Sequence, residues 1–199
     1  WGEYELRYIY PPEETKGYHP LWINRYFLES SVYENNKLKV GDAEFSLLYI
    51  DVKYMDIRAL ERVLKLAKEG LPICMKGIVR QPGKIKSDNY NSMFNELLAL
   101  DNVSDKLENV IKSPPLIKGD SIPEYWCRVD DSGNHYLFLV QWSSKQLKYP
   151  VYSGQSYMKD SHFKTLSLSV NGKTITKDFE FKPYQSLMLK VDINGKLEF

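Results

Sequence analysis

The 199-residue chain has little cysteine, little histidine and almost no net charge. Two cysteines, Cys74 and Cys127, are too few for a disulfide scaffold, although the pair itself is open to bridging. No Cys-x-x-Cys or His-x-x-x-His spacing supplies a metal-ligand set, so no metal or cofactor is expected. The 27 basic and 26 acidic residues are interspersed, and a net charge of +1 makes no footprint for nucleic acid or an anionic membrane. No apolar run approaches the roughly 20 residues of a membrane-spanning helix. The expected partners therefore include neither nucleic acid nor membrane. No signal peptide is present, and the first residue is Trp1 rather than Met, which reads as a processed protein or a segment of a longer one.

What the chain has is aromatic side chains, 15 Tyr, 8 Phe and 4 Trp. They fall in two unlike halves. In the first, Glu5–Tyr10 alternates as a strand and Pro11-Pro12 stops it. Asn24–Leu28 predicts a short helix after Trp22. Leu38-Lys39-Val40 leads into a Gly41-Asp42 turn, and Glu44–Ile50 reads as one strand buried on both faces. Ile57, Leu60, Val63, Leu64 and Ala67 then line one helical face behind an Asp56 cap, with Gly70 just past the end. The strand Ile73–Ile78 completes a βαβ unit with a parallel crossover. A helix capped by Ser87 or Asp88 and another over Ser104–Ile111 follow, and Ser113-Pro114-Pro115 opens a linker reaching Gly119.

Beyond the linker the hydrophobic period becomes two. Tyr125–Val129 and His135–Val140 flank the hairpin loop Asp130–Asn134; Leu166–Val170 and Lys173–Ile175 flank Asn171-Gly172; Leu187–Val191 precedes a second Asn-Gly at Asn194-Gly195. Short strands at this spacing predict an antiparallel sandwich. The expected domains are thus an α/β domain over residues 1–115 and a β-sandwich over residues 116–199.

Chemistry-bearing residues are sparse. Glu13-Glu14 and Asp130-Asp131 are adjacent acids in turn-rich sequence, where side chains point apart and stay solvated. Asp51 ends the first parallel strand, where α/β sheets place ligands, and is the pocket candidate; a helix-capping role is the competing reading. Cys74 lies inside a strand with no nucleophile elbow and reads as a small core residue. His19, His135 and His162 stand singly. No catalytic residue is assigned. Aromatic faces stack on sugar rings, so Trp22, Trp126, Trp142, Tyr149, Tyr152 and Tyr157 are candidate carbohydrate platforms, the three tyrosines in a Pro-, Ser- and Gly-bearing stretch.

Trp22-Ile23-Asn24, Leu38-Lys39-Val40-Gly41, Phe45–Ile50 and Ile57–Gly70 together resemble the accessory α/β domain of multidomain glycoside hydrolases of the α-L-rhamnosidase type. Phe179–Leu187, containing Pro183-Tyr184-Gln185-Ser186, is similar to a strand of the β-sandwich that closes such enzymes, as is His135–Gln141. The resemblance implies a flavodoxin-like or amidotransferase-like three-layer α/β domain followed by an antiparallel β-sandwich. It also implies a periplasmic or extracellular setting. The catalytic carboxylates of that family lie in an upstream barrel, to which nothing here corresponds. The expectation is a non-catalytic segment whose partners are that catalytic domain and a plant-type oligosaccharide; a stand-alone carbohydrate-binding or self-association module is the alternative.

Overall fold

The computed structural model describes residues 11–84, 86–140, 160–183 and 185–199. They form a mixed α/β structure, rich in sheet and with few helices. Two compact units divide the chain: Leu21–Ser113, and Pro114–Phe199 together with residues 11–20. The sequence groups residues 11–20 with the α/β half, whereas in the structure they pack with the strands of the second unit.

In the first unit, helix α1 (Arg25–Ser30) starts where the Asn24 side chain accepts the Phe27 N–H at 3.1 Å. Strands β1 (Val32–Glu34), β2 (Lys37–Val40) and β3 (Ala43–Phe45) form an antiparallel meander. Next come β4 (Leu48–Ile50), α2 (Ile57–Lys68), β5 (Ile73–Met75), α3 (Tyr90–Leu98), β6 (Val103–Ser104) and α4 (Leu107–Val110). Strands β4, β5 and β6 are parallel neighbours in that order.

Helix α2 follows its sequence signals closely. The Asp56 carboxylate accepts the Ala59 N–H at 3.0 Å, satisfying one orphan donor of the first turn. At the other end Gly70, at φ +104°, lets its N–H reach the Ala67 carbonyl and the Leu71 N–H reach the Leu66 carbonyl. That pair of bonds is a Schellman cap. Leu60, Val63, Leu66, Leu71, Ile73 and Leu97 are fully buried together, each contributing about 1.5–3 kcal/mol by leaving water.

Three sequence expectations need correction. The run Glu44–Ile50 is not one strand. Phe45 pairs with Leu38 in the meander, and Leu48 and Ile50 then bury against α2 and β5, so one apolar run serves two sheets. The predicted helix Ser104–Ile111 begins only at Leu107, because Val103 and Ser104 are drawn into the parallel sheet opposite Ile73 and Cys74. The linker holds a strand, β7 (Ile117–Lys118), with Ile117 fully buried.

The second unit continues with β8 (Glu124–Val129), β9 (His135–Val140), β10 (His162–Val170), β11 (Lys173–Phe181), β12 (Ser186–Val191) and β13 (Leu197–Glu198). They make two antiparallel sheets, ordered β11-β10-β7 and β13-β12-β9-β8. Asn171 and Gly172 both have positive φ, the geometry that matches a two-residue turn to strand twist, and β10 and β11 pair along their full lengths behind it. Leu137, Leu139, Leu189 and Val191 of one sheet share a core with Ile117, Leu166, Leu168, Phe179 and Phe181 of the other. Residues 11–20 touch both sheets. The Gly17 carbonyl accepts the Ile117 N–H, while His19 lies against Tyr125 and Trp126 on β8. Among the described residues no helix is long and apolar enough to cross a membrane.

Candidate functional site

Among the described residues strand β8 is an edge of the four-stranded sheet, and its side chains alternate. Tyr125 and Cys127 turn toward the core; Trp126 and Arg128 face out. Antiparallel register then decides what surrounds them. Trp126 stands opposite Phe138 on β9, which stands opposite Met188 on β12. Across these strands the three side chains form an open apolar row, exposed by 49%, 40% and 58%. The neighbouring row is polar and charged, running Arg128, Tyr136, Lys190 and Glu198.

The Arg128 guanidinium carbon lies 4.7 Å from the Trp126 ring centroid, a cation–π contact of about 0.5–1 kcal/mol at an open site. Its Nη1 donates to the Cys127 carbonyl at 2.9 Å, which holds the guanidinium near the backbone. His19 meets Trp126 edge-on, with centroids 5.2 Å apart and planes at 86°. The His19 backbone is left-handed at φ +55°, an uncommon conformation outside glycine. Burial, and then the Arg128 charge, lower its imidazole pKa, so His19 favours the neutral form. Its Nε2 and the Tyr125 hydroxyl are buried without a hydrogen-bond partner among the described residues. Burial pushes the Tyr125 phenol far up; the His19 backbone N–H tempers the rise without meeting the oxygen in hydrogen-bonding geometry.

Such a surface can stack a planar or apolar partner and donate hydrogen bonds from a guanidinium. No family model, curated protein or solved structure matches the chain. The site is therefore read from its own chemistry.

Of the sequence candidates, Trp126 lies in this row. Trp142, Tyr149, Tyr152 and Tyr157 lie outside the described residues. Trp22 is exposed beside α1 in the other unit. Asp51 is exposed directly after β4, with no side-chain hydrogen bond or ion pair among the described residues, and the cap of α2 belongs to Asp56. Asp130 organises the β8–β9 turn. It accepts the Ser132 and Asn134 N–H groups on Oδ1 and the Asn134 amide on Oδ2 at 2.9–3.0 Å, and Tyr136 Oη donates to it at 3.2 Å. These bonds, the Asn134 side chain foremost, hold its pKa below the ordinary carboxylate value, opposite to the raised pKa a glycosidase acid requires. Cys74 and Cys127 are both buried and form no disulfide with each other.

Sequence reasoning missed Phe138, Met188, Arg128 and His19 as companions of Trp126. For Phe138 the signal was available. Alternation in His135–Val140 opposes it to Leu137 and Leu139, and the five-residue loop Asp130–Asn134 sets its register against Trp126.

Proposed function

We propose that this chain is a non-catalytic accessory segment of a glycoside hydrolase resembling the α-L-rhamnosidase type, supporting or orienting a catalytic domain of the same polypeptide. The observation that carries the reading is the open Trp126–Phe138–Met188 row with its charged neighbours. Aromatic and thioether side chains, with arginine beside them, are the groups enriched where proteins dock. The finer fold belongs to the same reading. A flavodoxin-like or amidotransferase-like α/β domain is supported by the parallel β4-β5-β6 ladder, and an antiparallel sandwich by the core shared between two sheets. A periplasmic or extracellular setting rests on the family resemblance alone.

The purified segment is expected to release nothing from aryl glycosides; hydrolysis by it would refute a non-catalytic role. Trp126→Ala is expected to change folding stability by only about 1 kcal/mol, because half the ring is already in water. It should nevertheless weaken association with the remaining domains of the parent polypeptide supplied in trans. Unchanged association removes this face from the docking role.

The half-open Trp126 ring beside a guanidinium also favours a second reading, a carbohydrate-binding module for a plant-type oligosaccharide. Saturable quenching of tryptophan fluorescence by rhamnose-containing oligosaccharides, lost in Trp126→Ala, would move the assignment there. A dimer that the same substitution dissociates would move it to self-association.

A further inference from the structure

Past the ends of β4 and β5 the two strands make one more parallel contact, a bridge between Tyr54 and Arg80. The Met55 N–H donates to the Arg80 carbonyl at 3.0 Å and the Arg80 N–H to the Lys53 carbonyl at 3.1 Å. Bridged residues present their side chains to the same side of a ladder, so Tyr54 and Arg80 stand together. They border a groove of about 670 Å³. The groove lies beyond the carboxyl ends of the parallel strands, the position at which open α/β sheets hold ligands.

The far wall is one face of α3, with Asn91, Asn95 and Leu98 at helical spacing above the buried rings of Tyr90 and Phe94. The Tyr90 hydroxyl donates to the Met55 carbonyl at 3.0 Å, tying α3 to the segment that carries Tyr54. At the rim the Gln81 side chain accepts the Ser87 N–H at 2.8 Å and the Lys86 ammonium donates to the Gln81 carbonyl. The α3 wall is held by a buried contact and the rim by the Gln81 and Lys86 side chains, which leaves Tyr54, Arg80, Asn91 and Asn95 outside these bonds.

Those groups are uncommitted. The side chains of Tyr54, Arg80, Asn91 and Asn95 make no hydrogen bond or ion pair among the described residues. Among the described residues the lining holds two cations, Arg80 and Lys86, and no carboxylate, in a chain of nearly balanced charge. Asp56, whose charge reaches Tyr90, is already engaged with the Ala59 N–H and Arg25. A guanidinium fork fits a carboxylate or phosphate two oxygens at a time. Primary amides both donate to and accept from hydroxyls. Tyr54, 62% exposed, offers a ring face.

We propose that this groove binds a sugar bearing an oxyanion, a uronic acid or a sugar phosphate. Arg80 takes the charged group, Asn91 and Asn95 take ring hydroxyls, and Tyr54 stacks on the ring. The assignment goes beyond the docking role given to the Trp126 face and does not depend on it.

The test is an amide-resolved NMR titration of the whole chain with glucuronate, galacturonate, glucose 6-phosphate, methyl glucoside and inorganic phosphate. Saturable shifts centred on residues 54, 80, 91 and 95 are expected with the charged sugars. Arg80→Gln should weaken binding about tenfold, the scale of one charge-assisted bond, and Asn95→Ala by a smaller factor. Trp126→Ala should leave binding unchanged, which separates this site from the other face. Both groove positions are exposed, so a native amide spectrum is expected for the variants. A preference between uronate and sugar phosphate identifies the oxyanion and supports the proposal. Absence of saturable shifts with every charged sugar overturns it. So does methyl glucoside or inorganic phosphate binding as tightly as the charged sugars, or binding indifferent to Arg80→Gln.

Discussion

Gly17→Ala tests the attachment of the 11–20 segment. Gly17 sits at φ +86°, and a β-carbon there would lie 2.1 Å from the Ile117 carbonyl oxygen and 3.2 Å from the Pro115 β-carbon. Ordinary contacts begin near 3.4 Å, so the segment must withdraw by more than an ångström. Withdrawal breaks the 3.2 Å bond from the Ile117 N–H to the Gly17 carbonyl and strands a donor on a fully buried residue. The left-handed backbone costs alanine about 1–2 kcal/mol and the orphaned donor about 1–3 kcal/mol, so about 2–5 kcal/mol is lost. For a unit of this size about 1 kcal/mol moves Tm by about 4–8 °C, giving a drop of roughly 8 °C or more. Gly172→Ala is the internal control. Its φ is +75° and nothing lies within 4 Å of the added methyl, so it should show the strain alone, about 1 kcal/mol. Thermal and urea unfolding followed by near-ultraviolet circular dichroism reads both. If the two variants lose stability equally, the close approach of Gly17 to β7 is not a constraint in solution.

His19 gives a pH signature. Its imidazole pKa lies below the ordinary 6.5 because of burial and Arg128, so the unfolded chain takes up a proton that the folded one resists. This contribution is complete above about pH 7 and is lost as pH falls through 6.5 toward the folded value. Urea midpoints measured at pH 7.5 and 5.5 should differ less in His19→Gln than in the native chain; identical differences contradict the buried neutral imidazole. Burial pushes the Cys127 thiol up to about 11 against the partial opposition of Arg128. Native-state labelling by a thiol reagent at pH 8 should therefore run about two orders of magnitude slower than for free cysteine. Rapid labelling of Cys127 in the folded chain would rule that burial out.

Elements with a local cause were legible in the sequence. Helix α2 carries its cap, stripe and terminating glycine within fifteen residues, and the Asn171-Gly172 turn carries its own backbone geometry. Elements made by distant partners were not. Val103-Ser104 is a strand only because Ile73 and Cys74 lie beside it, and Ile117-Lys118 only because β10 does. Nothing in the helix-like composition around Ser104, or in the proline-bearing linker, announces either. The same division holds for the surface. Trp126 was readable as an aromatic on a hairpin, but Met188 joins it through pairing across some fifty residues of intervening chain. The Tyr54–Arg80 groove was indicated only by the rule that ligands gather at the carboxyl ends of parallel strands, and that rule drew attention to Asp51 rather than to the bridge beyond it.

The bond between Gly17 and Ile117 joins residues a hundred positions apart, with the whole Leu21–Ser113 unit between them. The β-rich unit is thus discontinuous in sequence, and the α/β unit is an insertion within it. During synthesis the inserted unit emerges complete while its host still lacks every one of its described strands, β7 to β13, so it can close first. Its closure replaces a long flexible loop by a fixed span and lowers the entropy cost of bringing Gly17 back to β7. Damage to the α/β core is then felt twice, once in that unit and again as slower assembly of strands it never touches in sequence. A fragment cut at the linker would present the two sheets without the segment that lies against both.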